Sequence, residues 1–185
     1  MKRPDMYRRS FLGLVSGVSV TGCLGGDGED DRPLTSEGND DQPIEKPPED
    51  LLLTAAQLDG SWQEQETDRD PCSAFWKSCD IGQVTLVTCA WVLTDNDEAQ
   101  ETFESRIRQS RTEVRSGVED EEPEIGVEAA IVHGGTEIHV IFRDANGIGR
   151  VEYELDVHGM VSEDDIPESE DVLVHAAAMH RTWRD

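Results

Sequence analysis

IHVIFRDANGIGRVEYELDV, residues 138–157, is the stretch of this sequence that decides the fold. Apolar and polar side chains alternate along both of its halves, which is the period of a β-strand with one buried face. Asn146-Gly147 separates the halves and is the preferred dipeptide of a two-residue type I′ turn. The stretch therefore predicts a β-hairpin.

The turn also predicts the register of this hairpin, with Ala145 paired to Ile148. That register gathers the apolar side chains on one face, as a half-buried hairpin requires. The expected pairs are Phe142–Val151, Val140–Tyr153 and Ile138–Leu155 on the apolar face, and His139–Glu154 and Arg143–Arg150 on the other.

Three further segments have strand patterns. Val84–Leu93 is apolar on both faces, which is typical of a strand buried from both sides. Val127–Val132 is a shorter strand that Gly134-Gly135 closes, and Trp62–Thr67 is a first strand. The last three strands of the chain are expected to be antiparallel.

Two amphipathic helices are predicted, with a short helix capped by Thr54 ahead of them. The first long helix follows the cap Thr94-Asp95 and extends to about Ser116, and the second begins around Ser169. Their apolar stripes are Ala99, Phe103, Ile107 and Val114 in the first, and Val172, Ala176, Met179 and Trp183 in the second. The element order predicts an α+β fold, with both helices on one face of an antiparallel sheet.

The N-terminal residues 1–22 have the parts of a signal peptide: a basic start, an apolar middle too short to span a bilayer, and a small-residue exit. Arg8-Arg9-Ser10-Phe11-Leu12 resembles a twin-arginine export signal. Val20-Thr21-Gly22-Cys23 resembles a lipobox, whose cysteine is lipidated and becomes the first mature residue. The resemblance implies a membrane-anchored protein, held by lipid at Cys23 and facing the extracellular side.

Composition changes sharply after the signal. Residues 23–50 are rich in Gly, Asp, Glu and Pro, and they contain too little apolar surface to offset the entropy of ordering. We expect a lipidated cysteine followed by a disordered acidic linker. Residues 51–185 have the length and patterning of a single globular domain.

The chain is strongly acidic, with 41 Asp and Glu against 16 Lys and Arg and a formal net charge of −25. Such a charge repels itself unless salt screens it, and the Debye length falls to about 3 Å at 1 M salt. The charge is typical of proteins adapted to high salt. It also argues against binding of nucleic-acid phosphates.

Residues 51–185 resemble the domains of small haloarchaeal lipoproteins that carry a twin-arginine signal and have no assigned function. The similarity lies in the Leu-Leu-Thr opening, the Gly-Ser-Trp at 60–62, the Phe-Arg-Asp before the hairpin and the closing amphipathic helix. The element order is also similar to that of PsbP-like and extracellular sensor domains. That second resemblance implies a fold more than a function.

Four cysteines occur, at positions 23, 72, 79 and 89. With Cys23 assigned to lipid, three remain in an oxidising location. Cys72 and Cys79 bracket a short loop, so we predict a disulfide between them and a buried Cys89. A metal or redox site is the competing interpretation, but the sequence has no Cys-x-x-Cys.

Histidines and carboxylates offer few other sites. His175 and His180 are five residues apart and do not share a helix face as a zinc pair does. His133, His139 and His158 occupy strand positions, where they could meet across the sheet, and His139 with Glu154 forms the candidate metal site. Nucleophile, phosphate-loop and dinucleotide motifs are absent, so no catalytic residue and no cofactor is assigned.

Two functions of different class follow. The first is a non-catalytic lipoprotein whose domain binds a surface protein or a small ligand at the cell surface. The alternative is a metal-binding protein or hydrolase that uses the His139/Glu154 sheet face. An open pocket of convergent polar groups on that face would distinguish a ligand site from a plain solvated sheet.

Overall fold

The computed structural model describes residues 33–114, 122–158 and 167–185. The predicted signal peptide with Arg8 and Arg9, and the predicted lipidation site Cys23, lie outside these residues. Among the helices of the described ranges, none is both long and apolar enough to cross a bilayer.

Six strands of the described residues form one antiparallel sheet in the order β2-β3-β4-β8-β7-β6, and β1 pairs in parallel with β5. Short 3-10 helices lie at Pro48–Leu51 and Ala55–Gln57. The other elements are β1 (Ser36–Glu37), β2 (Gln63–Gln65), β3 (Cys72–Cys79), β4 (Gly82–Val92), α1 (Asn96–Glu113), β5 (Ile125–Gly126), β6 (Glu128–Gly134), β7 (Glu137–Asp144), β8 (Gly147–Val157) and α2 (Ser169–Arg184). The predicted α+β fold with an antiparallel sheet is confirmed.

Both long helices begin where the sequence predicts. The Asp95 carboxylate accepts a hydrogen bond of 2.9 Å from the backbone N–H of Glu98, which caps α1. α2 begins at Ser169. The predicted stripes face the interior, with Phe103 buried on α1 and the whole stripe buried on α2.

The two helices pack on opposite faces of the sheet, which corrects the prediction that they share one face. α1 packs Phe103 against Ile141, whereas α2 packs Trp183 against Phe142. Neighbouring residues of a strand point to opposite faces, so Ile141 and Phe142 belong to different sides. Because β7 is apolar on both sides, each of its faces needs a helix to cover it.

The hairpin forms, but its register is shifted by two residues from the predicted one. Its turn residues are Ala145 and Asn146, not Asn146 and Gly147. A shift of two residues keeps every side chain on its expected face, because the side-chain period of a strand is two. The observed pairs include Asp144–Gly147, Phe142–Gly149, Val140–Val151, His139–Glu152, Ile138–Tyr153 and Arg143–Ile148.

Two residues explain this register. The Asn146 side chain accepts a hydrogen bond from the backbone N–H of Ile44 and donates to the carbonyls of Ile44 and Leu93. Gly149 lies under the Phe142 ring, and a Cβ added at Gly149 would meet a ring atom at 2.1 Å. Asn146 therefore belongs to the turn as a buried connector, and only glycine fits opposite Phe142.

Gly149→Ala is expected to lower the free energy of unfolding by about 1–3 kcal/mol, because its methyl group overlaps the buried Phe142 ring. Guanidinium denaturation of both proteins measures the difference. Gly60→Ala is the matched control, since an added Cβ there has nothing within 4 Å. Equal losses in the two variants would contradict the packing assigned to Phe142.

The segment Cys72–Cys79 is strand β3 and not the predicted loop. An eight-residue strand separates its ends by roughly 23 Å, too far for a disulfide between Cys72 and Cys79. Cys72 lies instead directly opposite Cys89 on β4 and is bonded to it. The predicted Cys72–Cys79 pairing is wrong because the intervening residues pair with β4.

Replacing Cys72 and Cys89 by serine is expected to cost about 3 kcal/mol of unfolding free energy, because this disulfide closes a loop with a sequence separation of 17. Denaturation of the double variant beside the parent measures the loss. Peptide mapping without reduction should join the peptides of Cys72 and Cys89. A Cys72–Cys79 peptide would contradict the structure.

The domain begins earlier than predicted, so the disordered linker does not extend to residue 50. Ser36 donates a backbone hydrogen bond of 2.9 Å to the Glu124 carbonyl, and Ile44 is buried in the core. The Asp40 carboxylate binds the buried Arg143 at 2.6 Å. Residues 33–50 belong to the domain because Ile44 is buried in its core, Leu34 packs against that core, and their backbone groups form hydrogen bonds with it.

Candidate functional site

α1 covers only part of its sheet face, and the uncovered part carries two rows of side chains across β4, β8 and β7. The first row is Thr85, Glu154 and Glu137, and the second is Val87, Glu152 and His139. A groove of about 310 Å³ over these rows, which we call the His139 groove, is lined by Arg69, Thr85, Val87, Glu113, Glu137, His139, Glu152 and Glu154.

A chain of charged side chains closes the α1 end of the His139 groove. Arg150, which is buried, binds Glu113 at the end of α1, and its Nη2 lies 3.1 Å from His139 Nδ1. Its Nε lies 3.0 Å from Glu152 Oε1, but the angle does not make this contact a hydrogen bond. Arg150 thus holds both a helix end and the imidazole on the groove floor.

Arg69 reaches over the groove from the loop before β3. Its Nη1 and Nη2 donate to the Glu152 carboxylate at 2.6–2.9 Å, while half of the Arg69 side chain stays exposed. Burial raises the pKa of Glu152, although the charges of Arg150 and Arg69 oppose this rise. A fork-to-fork pair of this kind holds the guanidinium in one orientation.

His139 is neutral near pH 7. Burial, and then the positive charge of Arg150, lower the pKa of His139 from 6.5 to about 4. Glu113 opposes this shift, and Arg69 adds a still smaller lowering effect. Since Arg150 always carries protons, its Nη2 donates to His139 Nδ1, and the ring proton of the neutral imidazole lies on Nε2. No described residue hydrogen-bonds to Nε2. His139 therefore presents a donor to the groove that it lines.

The lowered pKa of His139 predicts a pH-dependent stability. The unfolded chain binds the His139 proton near pH 6.5 and the folded chain only near pH 4, so stability from the neutral ring is complete above about pH 6.5 and is lost as the pH falls toward 4. In His139→Gln, the side-chain amide oxygen can still accept from Arg150 but does not titrate. The parent should therefore lose about 3 kcal/mol more unfolding free energy than this variant between pH 6.5 and pH 4.

Denaturation of both proteins between pH 7 and pH 4 measures this difference. Carboxylates elsewhere titrate in both proteins, so their contributions cancel in the comparison. A parent-to-variant difference that stays constant across the window would show that His139 titrates normally in the folded protein.

The structure places both residues of the predicted metal site in the His139 groove, but it corrects their pairing. His139 lies opposite Glu152, and Glu154 lies opposite Glu137, because of the shifted register. Among residues 33–114, 122–158 and 167–185, no group of three or more His, Cys, Asp or Glu could hold a metal ion. His133 is also not brought to His139, since the strand period points it to the other face.

Sequence reasoning missed the cationic part of the site. Arg69 is 83 residues from Glu152, and Arg150 was expected at the hairpin tip opposite Arg143. Nothing in the local pattern relates Arg69 to β8. The one signal in the sequence was Arg150 itself, because it places a charged side chain within a predicted strand between apolar neighbours.

A second polar cluster lies on the α2 side. His180 Nε2 is 2.7 Å from Asp144, and its Nδ1 is 2.8 Å from the Ser36 hydroxyl. The connectivity is that of a serine nucleophile, a base and an orienting carboxylate. However, His180 and Asp144 are fully buried, and Arg184 already neutralises Asp144. This cluster therefore fastens the N-terminal segment to α2, and we assign it a structural role.

Comparison of the chain with protein-family models, with curated proteins and with solved structures finds no significant match.

Proposed function

We propose that this protein is a non-catalytic, lipid-anchored surface module that binds a ligand in the His139 groove. The anchor part of the proposal rests on the sequence around Arg8-Arg9 and Cys23. The binding part rests on the open face beyond α1, where polar groups from three strands, a helix end and a loop converge. Convergent polar groups in a concave surface are typical of small-molecule sites.

The observation that supports binding most directly is the state of His139. His139 is 6% exposed, its ring lines the groove, and Arg150 fixes its Nδ1 as the acceptor. Its Nε2–H is therefore a donor of fixed orientation on the groove floor. A bound molecule with an acceptor atom could bind to it there.

The position of the groove suits an anchored protein. Residues 33–46 run along the α2 side, where they contact Arg181, His180 and Asn146. The His139 groove lies on the other face, toward the opposite strand ends from the Asn146 turn. Residues 24–32 reach at most about 30 Å, so an anchor at Cys23 would hold the domain near the membrane with the groove directed away from the attachment point.

The metal or hydrolase alternative has less support from the geometry. His139 Nδ1 faces the Arg150 guanidinium, and Arg69 lies over the neighbouring Glu152. Two fixed positive charges beside a candidate ligand nitrogen repel a metal cation. The one hydroxyl in the groove lining belongs to Thr85, and no described side chain hydrogen-bonds to it as a base.

Photocrosslinking in intact cells tests the binding proposal. A photoreactive amino acid that replaces Thr85, in the groove, should crosslink to the bound ligand. Mass spectrometry should then find the same added mass in every preparation, on the peptide that contains position 85. The same amino acid at Glu104, on the exposed side of α1, is the matched control. No adduct at Thr85, or equal adducts at both positions, would overturn the groove as a binding site.

The anchor is tested separately with Cys23→Ser. We expect the parent in the membrane fraction and the variant in the soluble fraction, with a lipid mass on the N-terminal peptide of the parent alone. Membrane retention of the variant would contradict anchoring at Cys23 and would leave the crosslinking result unaffected.

A further inference from the structure

Residues 33–46 form a segment that we call the strap, which lies across β5, the tip of the β7–β8 hairpin and the end of α2. Arg181 and Arg184 of α2 donate to backbone carbonyls of the strap. In the other direction, backbone N–H groups of the strap donate to β5 and to the hairpin, at Gly38, Asn39 and Ile44. Its apolar contacts with the core come from Ile44, which is buried, and Leu34, which is partly buried. Since so few apolar contacts hold it, the strap belongs to the parts of a fold that open locally at low free energy.

The strap and the domain beneath it carry charge of the same sign. The strap has more acidic than basic residues, with Glu37, Asp40, Asp41 and Glu45 against Lys46. Glu37 lines a groove together with Arg111 and three further glutamates, Glu122, Glu124 and Glu128. Repulsion between like charges reaches about 10 Å at 0.1 M salt but only about 3 Å at 1 M. Low salt therefore favours separation of the strap from the domain, and high salt removes this repulsion.

The attractive contacts of the strap are sheltered from the solvent. The fully buried Asp144 accepts hydrogen bonds from the Asn39 backbone and from Arg184, which itself donates to the strap. The Arg143 side chain, which is 5% exposed, binds Asp40. Salt screens buried charges much less than exposed ones. A rise in salt therefore weakens the repulsion of the strap more than it weakens the attachment.

We propose that the strap is a salt-dependent attachment, docked on the domain at high ionic strength and released at low ionic strength while the sheet stays folded. Release would lengthen the tether of an anchored protein. With the strap docked, residues 24–32 span at most about 30 Å, whereas residues 24–46 span about 75 Å once it is released. Docking and release depend neither on the anchor nor on the His139 groove, and only the change in reach requires lipid at Cys23.

Hydrogen exchange of the full-length, isotope-labelled protein measures release of the strap, because the protection of an amide reports how often it opens. The reporter amides are those that the strap donates to the domain, at Ser36, Gly38, Asn39 and Ile44. The reference amides are those of the paired central strands β4 and β8. When KCl falls from about 1 M to about 0.1 M, we expect the reporters to lose protection at least about tenfold more than the reference amides.

Two variants with the same change in net charge test whether the position of the charge matters. The strap variant removes three exposed carboxylates from the strap and combines Glu37→Gln, Asp41→Asn and Glu45→Gln. The control variant removes three exposed carboxylates from β2, α1 and β8 and combines Glu64→Gln, Glu101→Gln and Asp156→Asn. The extra loss of reporter protection at low salt should shrink to less than about threefold in the strap variant and stay as in the parent in the control.

Three results would overturn the salt-dependent attachment. Reporter protection that does not fall at low salt would show that the strap stays docked. An equal fall in the reporters and in β4 and β8 would show that the domain unfolds as a unit. Equal behaviour of the two variants would show that net charge, and not charge on the strap, sets the response.

Discussion

Asp144→Asn is expected to lower the free energy of unfolding by about 3–5 kcal/mol, which is the usual cost of removing one partner from a buried ionic network. The fully buried Asp144 carboxylate accepts hydrogen bonds from the Asn39 backbone, from His180 and from Arg184 at 2.6–2.7 Å. An asparagine at this position would place an NH₂ group, which cannot accept a hydrogen bond, against one or more of these donors. Chemical denaturation of the parent and the variant measures the loss.

Asp156→Asn is the matched control for this change, since Asp156 is an exposed carboxylate on β8. It should alter stability by no more than about 0.5 kcal/mol. A loss below about 1 kcal/mol in Asp144→Asn would show that the Asp144 network does not hold the N-terminal segment and α2 together.

The Asp144 network should also respond to acid. Burial alone would raise the pKa of Asp144, but hydrogen bonds from His180, Arg184 and the Asn39 backbone lower it below its usual value. A carboxyl whose folded pKa is lowered stabilises the fold above its unfolded pKa, near 4, and that stabilisation is lost as the pH falls through the folded pKa. The acid limb of Asp144→Asn should therefore be shallower.

The fold class follows from the sequence because it depends on patterns within single segments. The Asp95 cap and the apolar stripe from Ala99 predict α1, and the alternation over residues 138–157 predicts the hairpin. Periodicity and caps are local signals, so one chain is enough to detect them. They say which side of an element is buried but not what buries it.

The errors arise where two distant segments meet. The Asn-Gly signal gave the wrong turn because Asn146 bonds Ile44, about a hundred residues away, and because Gly149 is needed under Phe142. The disulfide was wrong because Cys72 pairs in register with Cys89. Tertiary contacts overrode a local preference in both cases, as they do for intrinsic propensities in general.

Only the part of the candidate site that lies within one hairpin could be predicted from the sequence. His139 and Glu154 share a face by strand period alone, so the sequence placed them together. Arg69 joins Glu152 across 83 residues, and Glu113 reaches Arg150 only because α1 ends at the groove. These contacts need the sheet order and the helix position, neither of which a periodic pattern contains.

The core on the α2 side leads to the second large effect, which concerns Trp183. Its ring lies 4.9 Å from the Phe142 ring centroid, and its Nε1–H donates to the Leu51 carbonyl at 3.0 Å. A Cβ added at Gly147 would meet the indole at 2.9 Å. The indole thus joins the last helix, the hairpin and the segment that enters the domain.

Trp183→Ala is expected to cost about 3–5 kcal/mol, because it leaves a cavity under α2 and an unpaired Leu51 carbonyl. Trp183→Phe should cost less, since it keeps most of the packing and removes only the hydrogen bond. Trp91→Ala, on the α1 face, is the control: its partly exposed ring has the Arg106 guanidinium 4.1 Å from its centroid, and its loss should be the smallest of the three. Chemical denaturation measures the unfolding free energy that each of the three variants loses. A larger loss in Trp91→Ala than in Trp183→Ala would place the main core on the α1 side of the sheet.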